Sequence, residues 1–270
     1  MMCCSRETVE LDETFSALWR GHDPFAEVEK LEGEIFRNVK NRRTFRFETG
    51  GKGYFAKVHR GVGWREIFKN FLQLKQPVLG AANEFYALGA LREAGVATMT
   101  PAAFGRRGRN PARQFSFLIT RELENTVSLE DVARQAVPPE TRRLLIKKVA
   151  ESAGRMHRAG INHCDCYICH YLIPVGEVTA ETPVYVIDLH RARKRKKVPR
   201  HFHVKDVAGL DFSSMDAGLS RRDRLRFVAA YCRFMPSCRR DRGFWESVDR
   251  AARKLYLKEH GRAAGKEKNL

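Results

Sequence analysis

Three cysteines, two histidines and one aspartate crowd into GINHCDCYICHYLI, Gly160 to Ile173, and two chemistries compete for them. Thiolates and imidazoles bind zinc or iron, with Cys164, Cys166, Cys169 and a histidine as the ligand set. The pattern, however, is C-x-C-x-x-C with no second C-x-x-C elsewhere. Ligands about 2.0 to 2.3 Å from zinc would also draw the loop tightly around the ion and keep Asp165 from reaching a substrate. The other chemistry makes Asp165 the working residue. His163–Cys164–Asp165 stands five residues ahead of His170, the spacing of H-R-D-x-x-x-x-N, in which the aspartate takes the proton of an attacking hydroxyl and the last residue helps hold Mg²⁺. Asp188, near the end of the apolar run VYVIDLH, suits the main Mg²⁺ carboxylate, with His170 second. Lys57 in GYFAKVHRG and Glu84 in GAANEFYALGALREAG supply a cation for nucleotide phosphates and a carboxylate to hold it. Alone, a strand lysine is an ordinary exposed residue and a first-turn glutamate serves the helix dipole. Together, and in this order, the four residues supply the parts phosphoryl transfer needs. Cys166 and Cys169 then become small apolar side chains packed beneath the loop.

These residues need elements to hold them. From Gly33 the chain reads as three strands, about 34–39, 44–49 and 54–59, with alternating Phe45, Phe47, Tyr54, Ala56 and Val58 and a tight turn at GGKG. The last of these strands carries Lys57. A basic amphipathic segment, WREIFKNFLQLK, precedes a helix with Phe85, Leu88 and Leu91 on one face, Glu84 in its first turns and Gly95 as its C-terminal cap. Two more strands follow around a Gly/Asn/Pro loop, and the polar RELENTVSLEDV, with Ser128 as a helix start, is the expected hinge. A helix over about 140–159, apolar at Leu145, Val149 and Met156, stops at Gly160. After it come the cysteine-rich loop, a strand HYLI, a strand VYVIDLH, and a helical remainder.

This succession predicts an α+β, two-lobed, protein-kinase-like fold. A small β-rich lobe over 31–124 would bind nucleotide, and a mainly helical lobe over 125–260 would hold catalytic and acceptor-binding residues. Residues 1–30 form an N-terminal extension and 261–270 a flexible tail. With 270 residues, 43% apolar, the chain can bury one large core or two modest ones. The absence of a signal-like apolar run, and of about 18 consecutive apolar residues anywhere, predicts a cytoplasmic protein whose membrane contact is peripheral. Seven scattered cysteines predict free thiols in a reducing compartment. A formal charge of +18, dense in HRARKRKK at 190–197, predicts anionic partners. Nucleic acid is not expected, because no homeodomain, zinc-finger, RRM or KH signature accompanies the charge.

The segments GINHCDCYICHYL, VIDLHRAR, GYFAKVHRG, PVLGAANEF and FSSMDAGLSRRD resemble the lipopolysaccharide core heptose(I) kinases of the Gram-negative envelope, from about Phe15 to Tyr256. The resemblance implies ATP and Mg²⁺ as cofactors, phosphorylation of the first heptose of the inner core, and Asp165 as the catalytic residue. It also implies a possible partner, the small and strongly acidic acyl carrier protein, which a basic chain could accommodate. The sequence departs from the kinase pattern at three points. Cys164 stands where an arginine is usual, His170 stands where an asparagine would hold a second Mg²⁺, and the turn about Asn38–Arg43 has no glycine. Arg42 and Arg43 are therefore expected to contact phosphate in place of glycine-loop amides. Cys164 also leaves room for a catalytically weak kinase-like protein.

Overall fold

The computed structural model describes residues 7–39, 41–61, 63–65, 68 and 80–261. Cys3 and Cys4, Lys40 of the glycine-free turn, most of WREIFKNFLQLK and the tail beyond Gly261 lie outside the described residues. The chain forms two compact units, one of Met1–Leu88 with Met99–Glu124, the other of Gly89–Thr98 with Asn125–Leu270.

The first unit is built on an antiparallel sheet of β1 (Glu7–Leu11), β2 (Glu34–Val39), β3 (Arg42–Thr49), β4 (Lys52–Arg60), β5 (Pro101–Arg107) and β6 (Phe115–Arg121). Their order is β1-β5-β6-β4-β3-β2. Thr49 pairs with Lys52, so the reversal between β3 and β4 is the two-residue turn Gly50–Gly51, and both glycines have positive φ, 58° and 71°. Side chains with a larger substituent at both positions would be strained there. The period of two then sorts the sheet into faces. Phe45, Phe47, Tyr54, Ala56, Val58, Phe117 and Ile119 point to one face and are buried against Phe15, Trp19, Phe25 and Val28. These covering residues come from the short helices Glu13–Leu18 and Pro24–Lys30 and the Trp19 cap. Asp12 and Asp23 cap the two helices by accepting from the amides of Phe15 and Phe25. Residues 7–30, part of the expected extension, thus supply an edge strand and much of the cover of this core. Lys57, opposite Thr44 on β3 and Leu118 on β6, belongs to the other face.

The second unit is mainly helical, with helices Pro139–Arg158, Arg200–Ser213, Arg221–Phe234 and Arg242–His260. Leu145, Val149 and Met156 are buried, as their spacing predicts. Ser128 caps the helix Leu129–Ala133 by accepting from the amide of Asp131. The helix Pro139–Arg158 ends before Gly160, which has φ +79° and lies so close to the Arg195 carbonyl that a Cβ would collide with it. That approach lets Ile161–Asn162 pair with Arg193–Lys194 as a two-stranded ladder. The strand expected over VYVIDLH is shorter: pairing covers Tyr185–Val186. Asp188 adopts a left-handed conformation, φ 57° and ψ 54°, which ends extended structure and opens the turn Leu189–Arg191. Among the described residues no helix is long and apolar enough to cross a membrane.

Candidate active site

Each unit holds one part of the predicted constellation. In the first, β4 presents Lys57 to Glu84, which stands in the first turn of the helix Ala82–Glu93. Lys57 Nζ donates to Glu84 Oε1 at 2.6 Å and Oε2 at 2.9 Å. Glu84 is almost wholly buried, with 2% of its side chain exposed. Removing a carboxylate from water costs several kcal/mol unless a cation is held against it, so the pair fixes the position of the ammonium group. The two arginines expected beside it separate. Arg42, opposite His59, shares the Lys57 face, whereas Arg43, opposite Val58, points to the face covered by the N-terminal helices. There its Nη2 donates to the Leu31 carbonyl at 3.0 Å, and its guanidinium lies 4.3 Å above the Phe45 ring. The expectation that both contact phosphate is corrected for Arg43: neighbours on a strand face opposite ways, and Arg43 serves the core side.

In the second unit the loop His163–His170 rests on one face of the helix Arg200–Ser213. Asp206 is fully buried and accepts from the amides of His163 at 2.7 Å and Cys164 at 3.0 Å. Its Oδ2 also faces His157 Nε2 at 3.2 Å, and His157 Nδ1 meets the Tyr231 hydroxyl at 2.8 Å. Burial alone would raise the Asp206 carboxyl, but the bonds from His157 and the loop outweigh it and hold the group below the usual carboxylate range. One turn on, Gly209 lets the helix backbone touch the Cys166 carbonyl. Then Ser213 Oγ accepts from the Ile168 amide at 3.0 Å. Positions 206, 209 and 213 share a helix face, so one stripe supports the loop along its length. Cys164 takes φ 74°, a left-handed conformation that costs a residue with a Cβ about 1–2 kcal/mol. With it, two successive amides reach Asp206.

The supported loop carries Asp165. His163 is buried and its ring is pushed towards the neutral form by burial; its Nε2 donates to the Ile187 carbonyl at 2.9 Å, tying the loop to the segment of Asp188. His170 stacks on it, ring centroids 5.5 Å apart and nearly parallel. His170 Nδ1 donates to the Asp165 carbonyl at 2.8 Å, and Nε2 lies 3.7 Å from Asp188 Oδ2. Burial would lower the His170 ring, but its bonds to Cys169 and the Asp165 carbonyl and the nearby Asp188 charge raise it to about 9. His170 Nε2 therefore stands on the Asp188 side of the ring, at a separation longer than a hydrogen bond. Asp188 Oδ1 accepts from His190 Nδ1 at 2.7 Å. Mg²⁺ is commonly held by one or two carboxylates with phosphate oxygens and water, and the Asp188 carboxylate fits that requirement.

The cysteines point in different directions. Cys164 Sγ lies 2.8 Å from Asn162 Nδ2, and Cys166 Sγ lies 3.2 Å from the Tyr171 hydroxyl. Burial raises both thiols, leaving them protonated and poor ligands. Among the described residues no three His, Cys, Asp or Glu side chains converge to hold a metal ion. The basic run divides as well. Arg191 Nη1 donates to Asp165 Oδ1 at 3.1 Å and Oδ2 at 3.3 Å, and Arg195 donates to the Asn162 side-chain oxygen while its guanidinium lies 4.4 Å above the Phe202 ring. Lys194, Lys196 and Lys197 are exposed. Sequence reasoning missed Asp206 and Arg191, one an unremarked acid in a helix, the other one of six adjacent or near-adjacent cations. Arg191 is set apart from the rest of the run by Ala192 and follows Asp188 by three residues, and that was the available signal.

The chain is similar to known proteins over most of its length. Residues 26–231 match the lipopolysaccharide kinase (Kdo/WaaP) family. The chain is 49% identical over 254 residues to the lipopolysaccharide core heptose(I) kinase WaaP of Pseudomonas aeruginosa, covering 91% of this chain and 95% of that one. It is 52% identical over 229 residues to the enzyme of the same description from Escherichia coli, covering 83% and 86%. A solved structure described as WaaP in complex with acyl carrier protein superposes with a TM-score of 0.79 at 44% identity, over 92% of this chain and 99% of that one.

Proposed function

The chain belongs to the lipopolysaccharide kinase (Kdo/WaaP) family, and from that premise we infer a phosphotransferase of lipopolysaccharide core biosynthesis that acts on a heptose hydroxyl. Its fold is the two-lobed kinase-like one, and its phosphate donor is ATP. One observation carries the chemical reading: the buried ion pair of Lys57 and Glu84, an arrangement that a protein stabilises less well than apolar packing and that phosphoryl transfer requires.

In this reading Lys57, fixed by Glu84, binds the nucleotide phosphates, and Arg42 on the same sheet face adds a second cation. Asp188 holds Mg²⁺, which would neutralise charge on the phosphate oxygens when bound. Asp165 orients the hydroxyl of the first heptose and accepts its proton late in the transfer. His170, beside Asp188, would be the second residue at the Mg²⁺ site or a contact to the nucleotide phosphates. The relative described in complex with acyl carrier protein supports an acidic carrier protein as partner, and the charge of +18 suits one. The same charge, together with a lipid-anchored acceptor, supports work at the cytoplasmic face of the inner membrane with peripheral contact to anionic lipid.

The test is direct. Purified protein, labelled ATP and dephosphorylated core lipopolysaccharide should yield product with phosphate on the first heptose, located by mass spectrometry. Asp165→Ala should remove nearly all transfer while thermal unfolding stays unchanged. Wild-type turnover in the folded Asp165→Ala protein would sink the assignment of Asp165.

A further inference from the structure

The proposal that follows rests on the kinase reading above and concerns a residue within it. Arg191 touches the Asp165 carboxylate through one nitrogen, Nη1, at 3.1 and 3.3 Å. A guanidinium has five N–H donors. Among the described residues, Nη2 and Nε of Arg191 make no hydrogen bond, and 42% of the side chain is exposed. The backbone around it is fixed, because Leu189 before it and Ala192 after it are both fully buried. The same short turn begins at Asp188. An arginine is thus held on the catalytic carboxylate, three positions from the metal carboxylate, with most of its donors available.

The chemistry brings an anion to those donors. The attacking hydroxyl must lie about 2.6–3.2 Å from Asp165 and about 3–3.5 Å from the phosphorus it attacks. A cation that already touches Asp165 is then within a few ångströms of the transferring group. In the transfer the hydroxyl oxygen bonds to the γ-phosphorus, the bond from that phosphorus to the ADP oxygen breaks with its electron pair leaving on ADP, and the hydroxyl proton passes to Asp165 and on to solvent. Negative charge spreads over the equatorial phosphoryl oxygens, where a planar fork of donors is most effective. Cys164, in the position where an arginine would carry charge into this loop, has none to offer. We propose that Arg191 is a catalytic residue: it holds Asp165 by Nη1 and donates its remaining N–H groups to the phosphoryl group during transfer.

The experiment compares wild type with Arg191→Ala and Arg191→Lys. Arg191→Ala should lower kcat roughly 100-fold or more, with KM for ATP within about threefold of wild type. Arg191→Lys, which keeps the charge and loses the fork, should fall between them. Added guanidinium should restore at least about tenfold to Arg191→Ala and nothing to Asp165→Ala. Independently of turnover, Arg191→Ala should bind ADP as wild type does and fail to assemble the tight complex of ADP, fluoroaluminate and acceptor. A variant within about threefold of wild type overturns the proposal. So does a slow variant that binds fluoroaluminate normally and is not rescued, since Arg191 would then only position Asp165. If wild type itself forms no phosphorylated heptose, the fault lies with the kinase reading instead.

Discussion

At the scale of single residues, Asp206 links the stability of the second unit to its chemistry. Two loop amides and His157 converge on one buried carboxylate, so removing it leaves buried donors without acceptors. Asp206→Ala should cost about 3 kcal/mol or more. It should also reduce kcat even at temperatures where the protein stays folded, because Asp165 loses its support; chemical denaturation and turnover measured on the same preparation check both. His203 makes a second residue-scale expectation. It is 6% exposed, its Nε2 is buried without a partner, and burial, reinforced by His157, pushes its ring down to about 4. Above about pH 6.5 both folded and unfolded chains carry it neutral, and between there and about 4 the unfolded chain takes the proton first. Stability should therefore fall as pH drops through this window, by up to about 3 kcal/mol from this group. Replacing His203 by glutamine should flatten that slope in thermal unfolding between pH 7 and 4; an unchanged slope would rule the group out. Lys57, Glu84, Asp165 and Asp188 were legible in sequence because motif spacing singled them out. Asp206, Arg191 and His203 were not, because each works through a contact made by folding: a helical acid, a charged run and a lone histidine look like solvated or core residues until something packs on them.

At the scale of elements, the helix Arg200–Ser213 behaves as the bed of the catalytic loop, and Gly209 sets how close the two can come. A methyl group there would meet the Cys166 carbonyl, with no flexible side chain available to give way. Gly209→Ala should lift the loop, cost about 1–3 kcal/mol as overpacking does, and reduce transfer more than it reduces ATP binding. Calorimetry beside steady-state kinetics checks this; kcat at the wild-type level in a destabilised protein would separate the bed from the chemistry. The strands about Lys57 were readable to within two residues, because alternation and a double glycine leave little choice. The strand ending at Asp188 was not. An apolar run such as VYVIDLH reads as extended throughout, while a single left-handed residue, Asp188, favoured by its hydrogen bond to His190, turns the chain two residues before the run ends. Arg43 failed for the same kind of reason: adjacent arginines look equivalent in a string and are opposed on a strand.

At the scale of the molecule, charge is divided between tasks. Arg191 and Arg195 are spent on the loop, leaving Lys194, Lys196 and Lys197 exposed for long-range attraction. Binding to vesicles of anionic lipid should weaken as salt rises, with a screening length of about 8 Å at physiological ionic strength. Converting the three lysines to glutamine should weaken it at low salt and leave kcat on detergent-dispersed acceptor unchanged. Co-sedimentation indifferent to both salt and the lysines would count against a membrane role for this run. The two-lobed plan followed from the order of motifs, but the expected N-terminal extension was underrated: the partners of Phe15, Trp19, Phe25 and Val28 lie far along the chain on the sheet. The alternation in RARKRK has a further consequence. Within Arg193–Lys196 the arginines are half-buried and the lysines exposed, so an inward and an outward message alternate letter by letter there. Replacing one of these lysines by arginine should be silent, yet deleting one residue between Leu189 and Arg193 would hand each message to the wrong reader while leaving composition and charge almost untouched. Homologues of this chain should therefore tolerate drift within the run far better than any change in its length.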